Sequence, residues 1–377
     1  MKIVKNMISL MSFKKLSLFI LILLMRIMPL SALRKPIIEN GRYYYSIDDT
    51  HQHIDLTRAF QFLRRKIISP FSWKGFLKKL MYSAQKNQFS IIPIQTVPTK
   101  NSQEPIITWI GHSSFLIQID GLNIVTDPIF GSVKVGPFPI MKRRMAPGVL
   151  LKDLPPIDVI LISHNHNDHT DRDTLIEIQK KYNPAVLIPN GNEKLFKNFG
   201  FNHISEQNWG DTFQISKNGK SICFTFLPAY HWSIRFSLDS YRKSLWGSWM
   251  IKGNDTTIYF AGDTAYGDHF NEIAELYPTI DIVLMPIGPA NIDHSKYRYS
   301  HINPMQAVDA FCQLNAKVFI PMHYGTFDTT QEGYNLSLTL LQDTWQAHEK
   351  ELADKKLIIA QCGRRYKFIK KRDESKN

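Results

Sequence analysis

The run LISHNHNDHTD, residues 161–171, packs three histidines and two aspartates directly behind an apolar stretch. Such a cluster is either a polar turn rich in imidazole or a metal cradle. Neutral imidazoles with a carboxylate suit Zn²⁺ best, and the ligand types are also compatible with Fe or Mn. His164 and His166 are two residues apart, so in extended backbone they point to the same side. Asp168 and His169 follow in the loop, ahead of a helix that Thr170 or Asp171 can cap.

These side chains can act together only if rigid elements deliver them to one place. Short apolar runs ending in polar clusters recur from about residue 105. IITWIGHSSFLIQI, LNIVTDP, DVILISH, AVLIPN, SICFTFLPA, TTIYFAGD, DIVLMPIG and KVFIPMH all read as strands. DRDTLIEIQKKY, NEIAELY and NPMQAVDAFCQLN read as helices between them. The mixture predicts an α/β fold, a sheet core covered by helices. Several of the strands end in a further candidate ligand: His164, His231, Asp263 and His323. That regularity favours the metal cradle over the polar turn.

At 377 residues the chain can bury a sizeable core, and 44% apolar against 21% charged residues is a globular composition. Its three cysteines, Cys223, Cys312 and Cys362, are far apart and form no CxxC pair. They supply neither a disulfide framework nor a thiolate zinc site, so His and Asp must hold any metal. The net charge of +13 invites a nucleic-acid reading, but its distribution opposes one. Residues 1–100 hold 17 Lys+Arg against 4 Asp+Glu, and the remainder holds 29 against 29. The body is neutral, and no nucleic acid is expected as a partner.

The basic excess sits in an N-terminal region of two parts. Residues 1–35 place Lys14 and Lys15 before an apolar run, Leu16 to Met25, that Arg26 interrupts. The run is shorter than the ~20 residues of a membrane span. It reads either as an export signal, with LSA at 30–32 as cleavage site, or as a retained anchor with Arg26 snorkelling. Residues 36–104 form a basic extension. Within it FLRRKIISPFSWKGFLKKLMYS interleaves Arg64, Arg65, Lys66, Lys74, Lys78 and Lys79 with aromatics. That pattern suits an anionic membrane surface, or a helical extension packed on the main domain.

HNHNDH, AYHW, FAGDT and MHYGTF, in this order, resemble the ligand set of the metallo-β-lactamase superfamily. TWIGHSSFLIQIDGLNIVTDPIF, LPPIDVILISHNHNDH, LWGSW, FAGDTAYGDHF and PIGPANIDHSKYRYSHINPMQAV narrow the resemblance. They are similar to the family of N-acylphosphatidylethanolamine-hydrolysing phospholipases D and its bacterial outer-membrane-protein-like relatives. The resemblance covers roughly residues 105–330. It implies an αββα sandwich over residues 105–370.

It also implies two Zn²⁺ per chain. His164, His166 and His231 would hold one, Asp168, His169 and His323 the other, with Asp263 bridging. Asp168 would bind metal and orient the nucleophile, and His301 in YSHINP would contact the phosphate or assist the leaving group. Asp127, at the end of NIVTDP, is a candidate to accept a hydrogen bond from a ligand histidine and orient it. His112 reads equally as a site residue and as a turn or core histidine. The implied activity is hydrolysis of N-acylphosphatidylethanolamine to an N-acylethanolamine and phosphatidic acid. A lactone, β-lactam, thioester or soluble phosphodiester hydrolase is the alternative. The implied partners are a membrane phospholipid and a membrane surface, and a homodimer is compatible with the family.

Overall fold

The computed structural model describes residues 33–46, 93–217, 219–235, 240–290, 300–327 and 335–368. The apolar run Leu16 to Met25 and the basic aromatic stretch 64–79 lie outside the described residues. Among the described residues no helix is long and apolar enough to cross a membrane.

A small hairpin, β1 (Ile37–Glu39) and β2 (Arg42–Tyr44), comes first. Then β3 (Ile106–Gly111), β4 (Ser114–Ile119) and β5 (Leu122–Thr126) form an antiparallel meander. Residues 106–119 were expected as one strand. The structure turns them into a hairpin because Gly111 and His112 adopt φ of 130° and 56°, which extended backbone cannot contain. A separate hairpin, β6 (Val133–Val135) and β7 (Phe138–Met141), follows.

The chain next makes parallel crossovers: β8 (Val159–Leu161), α1 (Arg172–Tyr182), β9 (Ala185–Pro189), α2 (Glu193–Asn198) and β10 (Ile204–Gln207). The second half starts antiparallel, with β11 (Thr212–Lys217), β12 (Lys220–Leu227) and β13 (Ser248–Lys252). It continues through β14 (Thr257–Phe260), α3 (His269–Leu276), β15 (Ile280–Pro286), α4 (Pro304–Gln313) and β16 (Ala316–Met322). α5 (Leu336–Ala347), β17 (Lys356–Leu357) and β18 (Arg365–Lys367) complete it. The strands assemble into two seven-stranded sheets, ordered β10-β9-β8-β5-β4-β3-β18 and β11-β12-β13-β14-β15-β16-β17.

Both faces of the first sheet are apolar, and the period of two sorts its side chains. Ile107, Trp109, Phe115, Ile117, Ile124, Val159 and Leu161 face one core, shared with the second sheet. Their neighbours Ile110, Leu116, Val125 and Ile160 pack with Leu175 and Ile178 of α1. Phe270 and Ile273 of α3 and Val308 and Phe311 of α4 cover the second sheet. The result is the helix–sheet–sheet–helix order that the α/β reading anticipated.

Strand direction then fixes where a site can form. β3, β5, β8 and β9 run parallel to one another, as do β12, β14, β15 and β16, from the pairing directions along each sheet. Loops leaving the carboxyl ends of such strands form the natural crevice of an α/β sheet. Residues 33–46 also pack on this body. Arg34 Nε donates to Glu272 Oε1 at 2.8 Å, and the Tyr45 ring stacks on Tyr230 with centroids 4.1 Å apart.

Candidate metal centre

Every metal-ligand candidate lies just beyond the carboxyl end of one of those strands. His164, His166, Asp168 and His169 follow β8, His231 follows β12, Asp263 follows β14 and His323 follows β16 directly. His112 follows β3 and Asp127 follows β5. His301 stands two residues before the N-cap of α4. There Asn303 Oδ1 accepts from Gln306 N at 2.8 Å, Gln306 Oε1 accepts from Asn303 N at 3.3 Å, and Pro304 fills the first helical position.

The LWGSW stretch braces two ligand loops at once. Trp249 Nε1 donates to Ile162 O and Gly247 N to Ser163 O, both at 2.9 Å, just ahead of His164. Trp246 Nε1 donates to Ala229 O at 2.9 Å, just ahead of His231. Arg235 Nη1 donates to Asn165 O at 3.1 Å and Thr170 O at 2.7 Å, closing the HNHNDH loop from its far side. Asp171 caps α1, accepting from Thr174 N at 3.3 Å and Thr174 Oγ1 at 2.6 Å. Gly262 sits at φ 59°, and a Cβ there would come within 2.6 Å of Ser163 Cβ, so the turn into Asp263 requires glycine.

Within this frame the imidazoles converge. His164 Nε2 lies 2.9 Å from His166 Nδ1, and His231 Nε2 lies 3.2 Å from the same atom. Asp263 Oδ2 is 3.2 Å from His169 Nε2, 3.1 Å from His323 Nε2, 3.7 Å from His301 Nδ1 and 4.0 Å from His231 Nε2. Asp168 Oδ2 lies 3.1 Å from His112 Nε2, 3.7 Å from His169 Nε2 and 4.0 Å from His323 Nε2. Asp263 therefore stands between the two histidine groups, nearer to His169 and His323 than to His231.

Outer partners decide which ring nitrogen faces inward. Ser163 Oγ gives its proton to Asp127 Oδ2 at 2.5 Å, so His164 Nδ1, 2.9 Å from Ser163 Oγ, must be the donor to it. His231 Nδ1 donates to the Ser300 carbonyl at 2.7 Å, and His169 Nδ1 to Asp127 Oδ2 at 2.7 Å. In the neutral rings of His164 and His231 the Nε2 lone pairs then point into the centre. His164 Nε2 and His231 Nε2 both face His166 Nδ1, which carries at most one proton to share between them, so a cation among them relieves the remaining lone-pair contact.

The titration behaviour agrees with that demand. Burial pushes His166 and His301 down to about 4 and His164 and His231 well below the ordinary histidine value. These rings are neutral at pH 7, the form that binds metal. Burial also opposes charge on Asp168 and Asp263. The histidines beside each, His169 foremost, outweigh it and hold both carboxyls below the usual range. Burial likewise opposes charge on His169, yet Asp263 and Asp168 raise its pKa well above normal. The carboxylates call for positive charge in their midst. Asp263 Oδ1 is moreover buried with no hydrogen-bond partner. An imidazole and carboxylate set with converging lone pairs fits divalent metal ions.

All seven residues proposed as metal ligands are thus brought together, with His301 beside them. His112 is the addition. Sequence left it between a site and a turn residue, and the structure gives it both positions. Its backbone turns the β3–β4 hairpin while its ring, 2% exposed, reaches Asp168. The role of Ser163 was missed. Only its place directly before His164 could have signalled it. None of the three cysteines joins the cluster.

Comparisons with known proteins agree with this geometry. A beta-lactamase superfamily domain matches residues 122–324. An N-acyl-phosphatidylethanolamine-hydrolyzing phospholipase D of Caenorhabditis elegans is 34% identical over 266 residues, covering 68% of this chain and 74% of its own length. A mitochondrial protein of the same name from Saccharomyces cerevisiae is 33% identical over 241 residues, covering 63% of this chain and 51% of its own. Among solved structures, a metallo hydrolase from Ignicoccus hospitalis matches with a TM-score of 0.53 at 23% identity. It covers 71% of this chain and 99% of that one, and shares the fold.

Proposed function

This chain belongs to the beta-lactamase superfamily, as a metal-dependent hydrolase of its phospholipase D-like branch. On that premise we propose that it cleaves N-acylphosphatidylethanolamine to an N-acylethanolamine and phosphatidic acid, using two zinc ions. The observation that supports it most is the arrangement around Asp263. One carboxylate oxygen within 4.0 Å of His169, His231, His301 and His323 has the placement of a group shared by two ions.

His164, His166 and His231 would hold one ion and Asp168, His169 and His323 the other, with Asp263 between. Such ions, when bound, supply Lewis acidity to a phosphoryl oxygen and make water nucleophilic near neutral pH. Asp168 has a second task in this reading. Fixed by His112, its carboxylate aligns the attacking water toward phosphorus and can take its proton. The water oxygen bonds to phosphorus, the P–O bond to the N-acylethanolamine breaks, and that oxygen takes up a proton. His301 is neutral at pH 7 and part-exposed at the rim, so it offers one N–H to the phosphoryl or leaving oxygen.

The label position tests the chemistry. In ¹⁸O-water, N-acylphosphatidylethanolamine should yield labelled phosphatidic acid and unlabelled N-acylethanolamine. Label in a released fatty acid would move the attack to an acyl carbonyl and overturn the phospholipase D reading.

A further inference from the structure

The β6–β7 hairpin ends in Val135-Gly-Pro-Phe-Pro139, five consecutive exposed residues without a charged or polar side chain. Phe138 is 69% exposed. It is the only phenylalanine or tryptophan in that state among the described residues. Val135 pairs with Phe138 across the hairpin, so both side chains stand on one face. Pro137 and Pro139 carry no backbone N–H, which lowers the cost of taking this tip out of water.

The rest of the hairpin is tied to the metal centre from two sides. Asn167, between His166 and Asp168, donates through Nδ2 to Lys134 O. On the other side Val133 packs on Phe327, whose ring meets His112 edge-on at 5.0 Å. Arg144 N donates to Thr326 O at 2.9 Å, and Thr326 Oγ1 accepts from His112 N at 2.6 Å. The flank is cationic. Lys134 Nζ meets Asp173 at 2.6 Å and Arg172 Nη1 meets it at 3.3 Å, the nearby Asp171 is buried in the cap of α1, and Lys142 directly follows β7. His166, Asn167 and Asp168, on the same side, are the members of the HNHNDH loop that are not fully buried.

We propose, on the phospholipid reading of the same site, that this tip is an interfacial wedge. Val135 and Phe138 enter the headgroup layer of an anionic phospholipid bilayer, while Lys134, Lys142 and Arg172 meet its phosphates. The open side of the metal centre is thereby set against the lipid surface. An apolar tip with a cationic collar is the pattern that binds such interfaces. A second copy of the chain is the poorer occupant. Five residues fall far short of the ~800 Å² per partner of a stable dimer, and facing cationic collars repel.

The test uses the full chain carrying Phe138→Trp, with wild type as the spectral reference. The probe is vesicles of phosphatidylcholine and phosphatidylglycerol, containing brominated acyl chains and no N-acylphosphatidylethanolamine. The added tryptophan emission should shift to the blue and lose most of its intensity to the bromine. Both effects should weaken as salt rises. Val135→Trp, on the same face, should behave alike. Added emission that ignores vesicles and stays open to aqueous iodide would overturn the proposal. So would emission that shifts with protein concentration alone, which would mark self-association. Binding is read without turnover. A failed ¹⁸O experiment would therefore leave this result standing, and a failed wedge would leave the reaction standing.

Discussion

His112 Nε2 lies 3.1 Å from Asp168 Oδ2, and both belong to loops that leave the same edge of the first sheet. Burial, with His323 beside it, lowers the His112 pKa to about 3, so the ring is neutral and donates this bond. Its own backbone is fixed by Thr326 Oγ1, and its carbonyl accepts from Trp109 Nε1 at 2.9 Å. His112 is therefore a rigid support that turns the Asp168 carboxylate toward the centre.

That support has a measurable cost of removal. His112→Phe keeps a ring but loses the donor, and loss of such outer partners typically costs 10–100-fold in metal affinity or activity. His112→Gln keeps an N–H and should recover much of the loss. Metal titration and turnover on the two variants check this. Equal behaviour of Phe and Gln at this position would show that the ring merely fills space.

Removing the shared carboxylate should be felt by both groups of imidazoles. Asp263→Ala is expected to lower metal content at both positions, whereas His231→Ala should empty mainly one. Elemental analysis of purified, folded protein gives the count. Wild-type stoichiometry in Asp263→Ala would refute a two-ion centre built around this residue.

Much of this was legible because its signals are local. HNHNDH marks its own candidate ligands, Asn303-Pro304 with Gln306 announces a helix start, and alternating apolar runs give the strands. The fate of His112 was not legible. Its turn depends on φ at two residues, and its partner Asp168 is 56 positions away. The bracing by Trp246 and Trp249 was hidden for the same reason. Their indole protons go to backbone carbonyls, which every residue carries and no sequence marks. The β6–β7 hairpin was missed because three- and four-residue strands with two prolines resemble an ordinary loop.

His269 links stability to pH away from the metal ligands. It is fully buried, with Thr264 Oγ1 at 3.1 Å from Nε2 and the Tyr45 hydroxyl at 3.3 Å from Nδ1. Burial, aided by Arg34, pushes it down to about 3 from an unfolded value near 6.5. Between those values the unfolded chain binds the proton and the folded one does not. Stability from this group is complete above pH 6.5 and falls as pH drops toward 3, by up to about 1.4 kcal/mol per pH unit. His269→Asn should remove that part of the slope. Chemical denaturation of the chelator-treated proteins from pH 7 to 4 measures it, and parallel stability curves would reject the assignment.

His301 offers a test that separates chemistry from metal binding. Its Nδ1 stands 3.7 Å from Asp263 Oδ2, its ring lies 5.5 Å from His231 and 5.4 Å from His323, and its side chain is 19% exposed. It is more exposed than His231 or His323, so it meets the solvent side, where the phosphate of the proposed substrate would arrive. If it donates to the phosphoryl or leaving oxygen in the transition state, His301→Ala should lower turnover by about 10²–10⁴, the usual contribution of a positioned proton donor. Metal content should stay at the wild-type value, because His164, His166, His231, Asp168, His169, Asp263 and His323 remain. His301→Gln, which keeps one N–H, should lie between the two if hydrogen bonding suffices, and should match Ala if the imidazole must pass a proton. Loss of metal in His301→Ala would place this histidine among the ligands, beside Asp263 and His323, and remove it from the transfer step.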